Sequence, residues 1–324
     1  MFVLCSTRSL KLTQARNQDY IYAPQGEVAK ASPPVLEEYW LTKLKVDNSL
    51  DIASGQRVRV AVIDTAIDDA HPDLKGTIEA KFDAIGAAEP TRARQHGTSM
   101  AGAIAAHGWL KGVAPTVRIL SARALDQDDR GRESGSTQSV VKAVQWAADQ
   151  GARIINMSFD GPVEDPELHA ELAAAYAKGL VLIGAAGNDG PKASPRYPGA
   201  DEHVVAVTAI DADDEVFADA SSGSYVAVAA PGVDVMLSAP GGYKSQSGTS
   251  VSAALVSGVA ALLIERCPEA TPSQVKTWLL TTAEPLGAAA NSQVGAGLVD
   301  ARRAVEAAAK PARPTAAVAK PPGS

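Results

Sequence analysis

Four side chains in this sequence could together perform acyl transfer: Asp64, His96, Asn188 and Ser250. Asp64 closes the β-branched run VRVAVID, and a carboxylate at a strand's carboxyl end can catalyse, hold a metal or cap the next turn. His96 heads HGTSMAGAIAAHG, a small-residue helical pattern entered from the polar loop AEPTRARQ, and Gly97, Ala101 and Gly102 leave room for a close neighbour. Asn188 lies in GAAGNDG, where it is either a turn residue or an amide that donates to an oxyanion. Ser250 lies in SQSGTSVSAALVSGVAALL, where a loop becomes a helix. It is either an N-cap or a nucleophile, with Gly248, Ala253, Ala254 and Gly258 keeping the approach open.

Singly, each residue has a plainer structural reading. Together they supply the parts of one mechanism. An Asp orients and charge-stabilises a His, the His takes the serine proton, and the Asn holds the tetrahedral oxygen. The order along the chain is acid, base, nucleophile. Chymotrypsin-like enzymes run His, Asp, Ser and α/β-hydrolases run Ser, Asp, His, so neither order fits. An esterase or lipase reading also lacks the G-x-S-x-G elbow, because GTSVS fails at its last position. A non-catalytic scaffold is the other alternative, and it gives no chemical reason for all four roles to be present. No phosphate loop G-x-x-x-x-G-K-[ST] occurs, and GAGLVD at 295–300 is too degenerate for a dinucleotide fingerprint. Among the remaining histidines, His71 in HPDL reads as turn chemistry, His169 as a solvent-facing helix residue and His203 as a loop residue before a strand.

The elements that must position these groups alternate. Short β-branched runs at 57–64, 116–125, 153–158, 180–185, 204–210 and 225–230 read as buried strands. Between them, 136–150 places Val140, Val141, Val144, Ala147 and Ala148 on one helical face, with Gly151 as the stop. A second helix begins at the N-cap Asp165 with Pro166 in its first position and ends at Gly179. Such alternation predicts an α/β domain, doubly wound, with a mainly parallel sheet and helices on both faces. Ligands of such sheets bind beyond the carboxyl ends of the strands, where the candidate residues fall. Residues 1–48 read as an irregular leader with a short helical possibility at 34–41, 49–308 as the catalytic domain, and the Pro/Ala-rich 309–324 as a disordered tail.

The chain has 324 residues, 46% hydrophobic and 21% charged, with a formal net charge of −7, which suits a globular domain and argues against nucleic acid as a partner. Cys5 and Cys267 give neither zinc spacing nor a disulfide framework, so no metal ligands are expected. No unbroken apolar run reaches ~18 residues, so no membrane span is expected. The opening MFVLCSTRSLKL lacks a signal-peptide pattern. Either the protein is not exported or the chain begins downstream of its export signal.

The stretches VAVIDTAIDDAHPDL, HGTSMAGAIAA, GVAP, IINMSFDG, GAAGNDG, YPGA, VVAVTAI, VAVAAPGVDV and SGTSVSAALVSGVAALL resemble, in order, those of the subtilisin-like (subtilase) serine peptidases across about residues 40–305. The resemblance implies a serine endopeptidase with Asp64 as the orienting acid, His96 as base, Ser250 as nucleophile and Asn188 as oxyanion donor. It implies that 123–136 and Ser158, Phe159, Asp160 and Gly161 flank an extended peptide substrate. It places Asp189 at the rim of the pocket for the residue before the scissile bond. With Asp160, and with Asp126, Asp128 and Asp129 partly offset by Arg130 and Arg132, this suggests a negative rim that disfavours acidic side chains. Protein or peptide substrates, an inhibitory N-terminal pro-segment, a monomer and a secreted or extracytoplasmic location follow from the same resemblance. No cofactor is expected for the chemistry. Structural calcium is not indicated, because AAHGWLKGVAP is short where some members bind it. The sequence departs from the common family pattern at Val251–Val256, which lacks a Pro and a His, and at Ala66, where Gly is usual; both touch backbone and packing rather than catalytic groups.

Overall fold

A computed structural model describes residues 38–86, 94–127, 133–287 and 291–309, together with the backbone of Phe2–Leu4 and Ile21–Tyr22. Most of the expected leader and nearly all of the expected tail lie outside the described residues, as do Asp128, Asp129, Arg130 and Arg132.

The central sheet has seven strands: β1 (Arg59–Asp64), β2 (Ile78–Asp83), β3 (Arg118–Arg123), β4 (Ile154–Met157), β5 (Val181–Ala185), β6 (Val204–Ile210) and β7 (Val226–Pro231). Across the sheet they run β7-β6-β5-β4-β1-β3-β2, and every neighbouring pair is parallel. Six strands match the apolar runs read from the sequence. The seventh, β2, is an edge strand whose Glu79, Lys81 and Asp83 break any apolar run, so it carries no such signal.

Strand alternation divides the core in two. Val60, Val62, Val181, Ile183, Val205 and Val207 point to one face, against helices α1 (Gln95–Ala105) and α4 (Thr249–Arg266). Ala61, Ile63, Leu120, Ile155, Met157 and Leu182 point to the other, against α2 (Thr137–Asp149) and α3 (Pro166–Ala177). The sheet is therefore doubly wound, as expected. The start of α2 is fixed by a capping box between Ser136 and Ser139. Asp165 caps α3 by accepting from the N–H groups of Glu167 and Leu168, with Pro166 in the first position.

Two places along the chain add to the sequence reading. Residues ahead of 49 belong to the core: the short helix Tyr39–Lys43 and the turn after it bury Trp40, Leu41, Leu44 and Val46. The helix overlaps the short helical possibility read at 34–41, and its apolar side chains pack into the core ahead of residue 49. Helix α4 is long and apolar enough to cross a membrane by length and composition, with mean hydropathy 1.3, although serines interrupt any unbroken run. Some 89% of it is buried within the protein. It is apolar all round because it is the central helix of the domain.

Candidate active site

Asp64 ends β1, His96 lies in the first turn of α1, Asn188 follows β5 and Ser250 lies in the first turn of α4. The parallel sheet brings the first and third of these to one edge. Close packing brings the helix starts to the same edge. Gly97 lets α1 sit against the turn after β1: a Cβ there would lie 2.2 Å from the Thr65 carbonyl oxygen. The Gly97 N–H donates to the Thr65 hydroxyl at 3.0 Å, which fixes the approach.

That approach sets His96 on Asp64. The imidazole Nδ1 is 2.9 Å from each carboxylate oxygen. The Asp64 side chain is fully buried, and its Oδ1 also accepts from the Thr65 N–H at 2.7 Å and the Thr65 hydroxyl at 3.2 Å. These donors hold the carboxylate in one orientation.

Ser250 is not a helix cap. Gly248 is the N-cap residue, in a φ of +150° that favours glycine, and no side chain caps the helix. The Ser250 hydroxyl donates instead to the Ser158 carbonyl at 3.0 Å. A buried polar network fixes the serine's backbone. The Ser257 hydroxyl donates to Asn156 Oδ1 at 3.0 Å, Asn156 Nδ2 donates to Ser158 Oγ at 3.0 Å, and Ser158 Oγ donates to the Ser250 carbonyl at 2.9 Å.

Asn188 is clamped at one end and unpartnered at the other. Its Oδ1 accepts from both the N–H and the hydroxyl of Thr249, each at 3.0 Å. Its Nδ2 is buried and has no hydrogen-bond partner. A Cβ on Gly248 would come within 2.9 Å of that nitrogen, so the glycine keeps the space beside it clear. Buried donors are almost always satisfied, so an orphan beside a glycine stands out as a donor in reserve.

The expected substrate-binding stretches lie on either side of one slot. Phe2–Leu4 runs between Glu133–Gly135 and Phe159–Asp160, antiparallel to both. Val3 is the register partner of Ser134 on one side and of Asp160 on the other. This chain's own backbone thus fills the position assigned to a peptide substrate. Gly161, expected beside the substrate, faces the loop after β5 instead of Phe2–Leu4. It exchanges both backbone hydrogen bonds with Tyr197, at 2.7 and 2.9 Å, so its backbone is already paired.

The negative rim is corrected. Arg196 inserts between Asp160 and Asp189: its Nε lies 2.7 Å from Asp160 Oδ1 and its Nη2 lies 2.8 Å from Asp189 Oδ2. One guanidinium therefore offsets two carboxylates. Asp126 likewise pairs with Arg123 and, at 3.3 Å, with Arg94. Arg196 gave no sequence signal, because it is distant in sequence from Asp160 and sits in a loop of mixed polarity. The sequence also did not reveal that His169 and His203 converge on Asp201, with contacts of 2.7 and 3.1 Å. Asp201 and His203 share one turn two residues apart, but His169 lies on α3, and no local spacing links it to them.

Comparison with known proteins agrees with this geometry. The model of the subtilase family matches residues 55–297. Subtilisin DY of Bacillus licheniformis is 36% identical over 263 residues, covering 79% of this chain and 92% of that protein. Thermitase of Thermoactinomyces vulgaris is 34% identical over 275 residues, covering 83% and 96%. A solved protease of Pseudoalteromonas arctica superposes with a TM-score of 0.75 at 27% identity, covering 82% of this chain and 94% of that one. With a doubly wound sheet, a buried Asp–His pair and a serine at a helix start all on one sheet edge, the chain belongs to the subtilase family and is a serine-type endopeptidase.

Proposed function

We propose that the chain hydrolyses peptide bonds through an acyl-enzyme on Ser250, with His96 as base, Asp64 as orienting acid and Asn188 as oxyanion donor. The observation that carries this reading is the buried Asp64–His96 contact. With Nδ1 facing both carboxylate oxygens, the proton sits on Nδ1 and the Nε2 lone pair is left to act as base. His96 takes the hydroxyl proton as Ser250 Oγ bonds to the substrate carbonyl carbon. The carbonyl electrons move to oxygen, which accepts hydrogen bonds from Asn188 Nδ2 and the Ser250 N–H. Collapse expels the amine, which receives the proton from His96. Water then repeats the sequence and releases the carboxylic acid and Ser250. The positive end of α4 adds to stabilisation of the oxyanion.

Substrate binds by adding a strand between Glu133–Gly135 and Phe159–Asp160, where Phe2–Leu4 lies in this structure. The same pairing supports an inhibitory role for the N-terminal segment, which must leave before a substrate can enter. The chemistry needs no cofactor, and the family suggests action outside the cytoplasm as a monomer.

A fluorophosphonate probe tests the assignment. It should label Ser250 stoichiometrically, and Ser250→Ala should remove both labelling and casein hydrolysis while leaving the fold intact. In a subtilisin, loss of the nucleophile costs about 10⁶ in turnover. Retention of more than about a thousandth of wild-type turnover would contradict the proposal.

A further inference from the structure

We infer that His169, Asp201 and His203 form a binding site for a borderline divalent transition metal of the zinc class, separate from the catalytic residues. One ligand atom from each side chain lies within 4.8 Å of the other two. Asp201 is the fixed member. Its side chain is 2% exposed, and its Oδ1 is held by the His203 backbone N–H at 2.9 Å. His169 Nδ1 stands 2.7 Å from Oδ2, and His203 Nδ1 stands 3.1 Å from Oδ1. Both imidazoles thus turn the same nitrogen toward one carboxylate. A single carboxylate needs only one imidazolium to balance its charge, so a second histidine exceeds what ion pairing requires.

The donor set selects the metal. Two imidazole nitrogens and one carboxylate oxygen suit zinc, cobalt or nickel, whereas calcium and magnesium prefer all-oxygen shells. Zinc bonds of about 2.0–2.2 Å need the ligand atoms somewhat over 3 Å apart. The closest contact must therefore open by about half an ångström. The two histidines can supply that movement, since their side chains are 37% and 22% exposed. The Tyr176 ring meets His203 edge-on with centroids 5.1 Å apart, which steadies its plane. Glu164 lies nearby, with its Oε1 4.0 Å from His169 Nδ1.

The metal would tie α3 to the turn that enters β6. That turn follows the loop carrying Arg196 and Tyr197, so an occupied site would stiffen a wall of the substrate cleft without touching the catalytic groups.

The test uses the untagged full chain, stripped with a chelator and held with a serine-protease inhibitor. Titration with ZnCl₂ by calorimetry should show one saturable equivalent. CoCl₂ should give the visible absorption of a low-symmetry nitrogen/oxygen site, and the unfolding midpoint should rise with free zinc. CaCl₂ should not compete. His169→Gln and His203→Gln change exposed side chains, and each should weaken zinc binding at least about 10-fold. Asp201→Asn, which keeps the shape of the buried residue, should do the same. Lack of a saturable equivalent in the wild-type chain, or undiminished binding in both histidine variants, would overturn the inference.

Discussion

Replacing Asn188 by Ala removes an amide whose two ends do different things, so the effects on folding and on rate can be separated. The oxygen end accepts two hydrogen bonds from Thr249. Losing them costs about 1–3 kcal/mol, at ~1 kcal/mol each with wide scatter. The nitrogen end is a buried donor without a partner, and removing it relieves about 1–3 kcal/mol of desolvation. The two terms oppose each other, so stability should change by no more than ~2 kcal/mol. The rate has no such cancellation. The orphan nitrogen gains an acceptor only when the carbonyl oxygen becomes tetrahedral and charged, so its loss falls on kcat. The expected decrease is about 10²–10³, a range carried over from the corresponding donor of a subtilisin. The assay is steady-state hydrolysis of a chromogenic peptide, run beside urea unfolding of the same preparations. A lower kcat with KM and the urea midpoint nearly unchanged is the expected result. A change confined to KM would mean that Asn188 only positions substrate. Loss of rate in step with loss of folding would mean that its role is structural.

Arg196→Gln should take a cation away from the 4%-exposed Asp160 side chain and destabilise the protein by about 3–5 kcal/mol at neutral pH. Urea midpoints of the variant and the parent chain, measured side by side, check the loss. The same variant should shift cleavage toward Lys or Arg before the scissile bond, and an unaltered peptide-library profile would remove Arg196 from the specificity wall. Proteolysis should weaken on the acid side, because the base must be neutral to accept the serine proton; an ordinary imidazole titrates near about 6.5, and a flat rate through that region would exclude a histidine base. Val3→Pro removes a backbone donor from the strand in the cleft and should raise the initial rate on added peptide; an unchanged rate would show that this strand does not obstruct substrate.

The sheet was legible because buried parallel strands are continuous apolar runs, and β1, β4, β5 and β6 carry little else. Edge strand β2 was not, since one exposed flank lets charged residues alternate through it. The Asp–His pairing could be anticipated from order and residue type, and Gly97 as room for a close neighbour, but not which neighbour fills it. That neighbour is Thr65, in a contact between two elements rather than a pattern within one. Arg196 defeated the reading of the acidic rim for a related reason: charges counted along the chain take no account of a guanidinium folded between two of them. Ser250 could be read as cap or nucleophile until the helix start was seen to lie two residues earlier, at Gly248.

The links from β4 to the nucleophile are all amides, hydroxyls and carbonyls, passing through Asn156, Ser158 and Ser257 to the backbone of Ser250. None of these groups gains or loses a proton in ordinary aqueous conditions, and none carries a net charge for dissolved ions to screen. The serine is therefore seated by parts indifferent to acidity and ionic strength, while its reactivity depends on a partner that responds to the first. Mild acid should slow the reaction through the base without unseating the serine, and neutralisation should restore the rate.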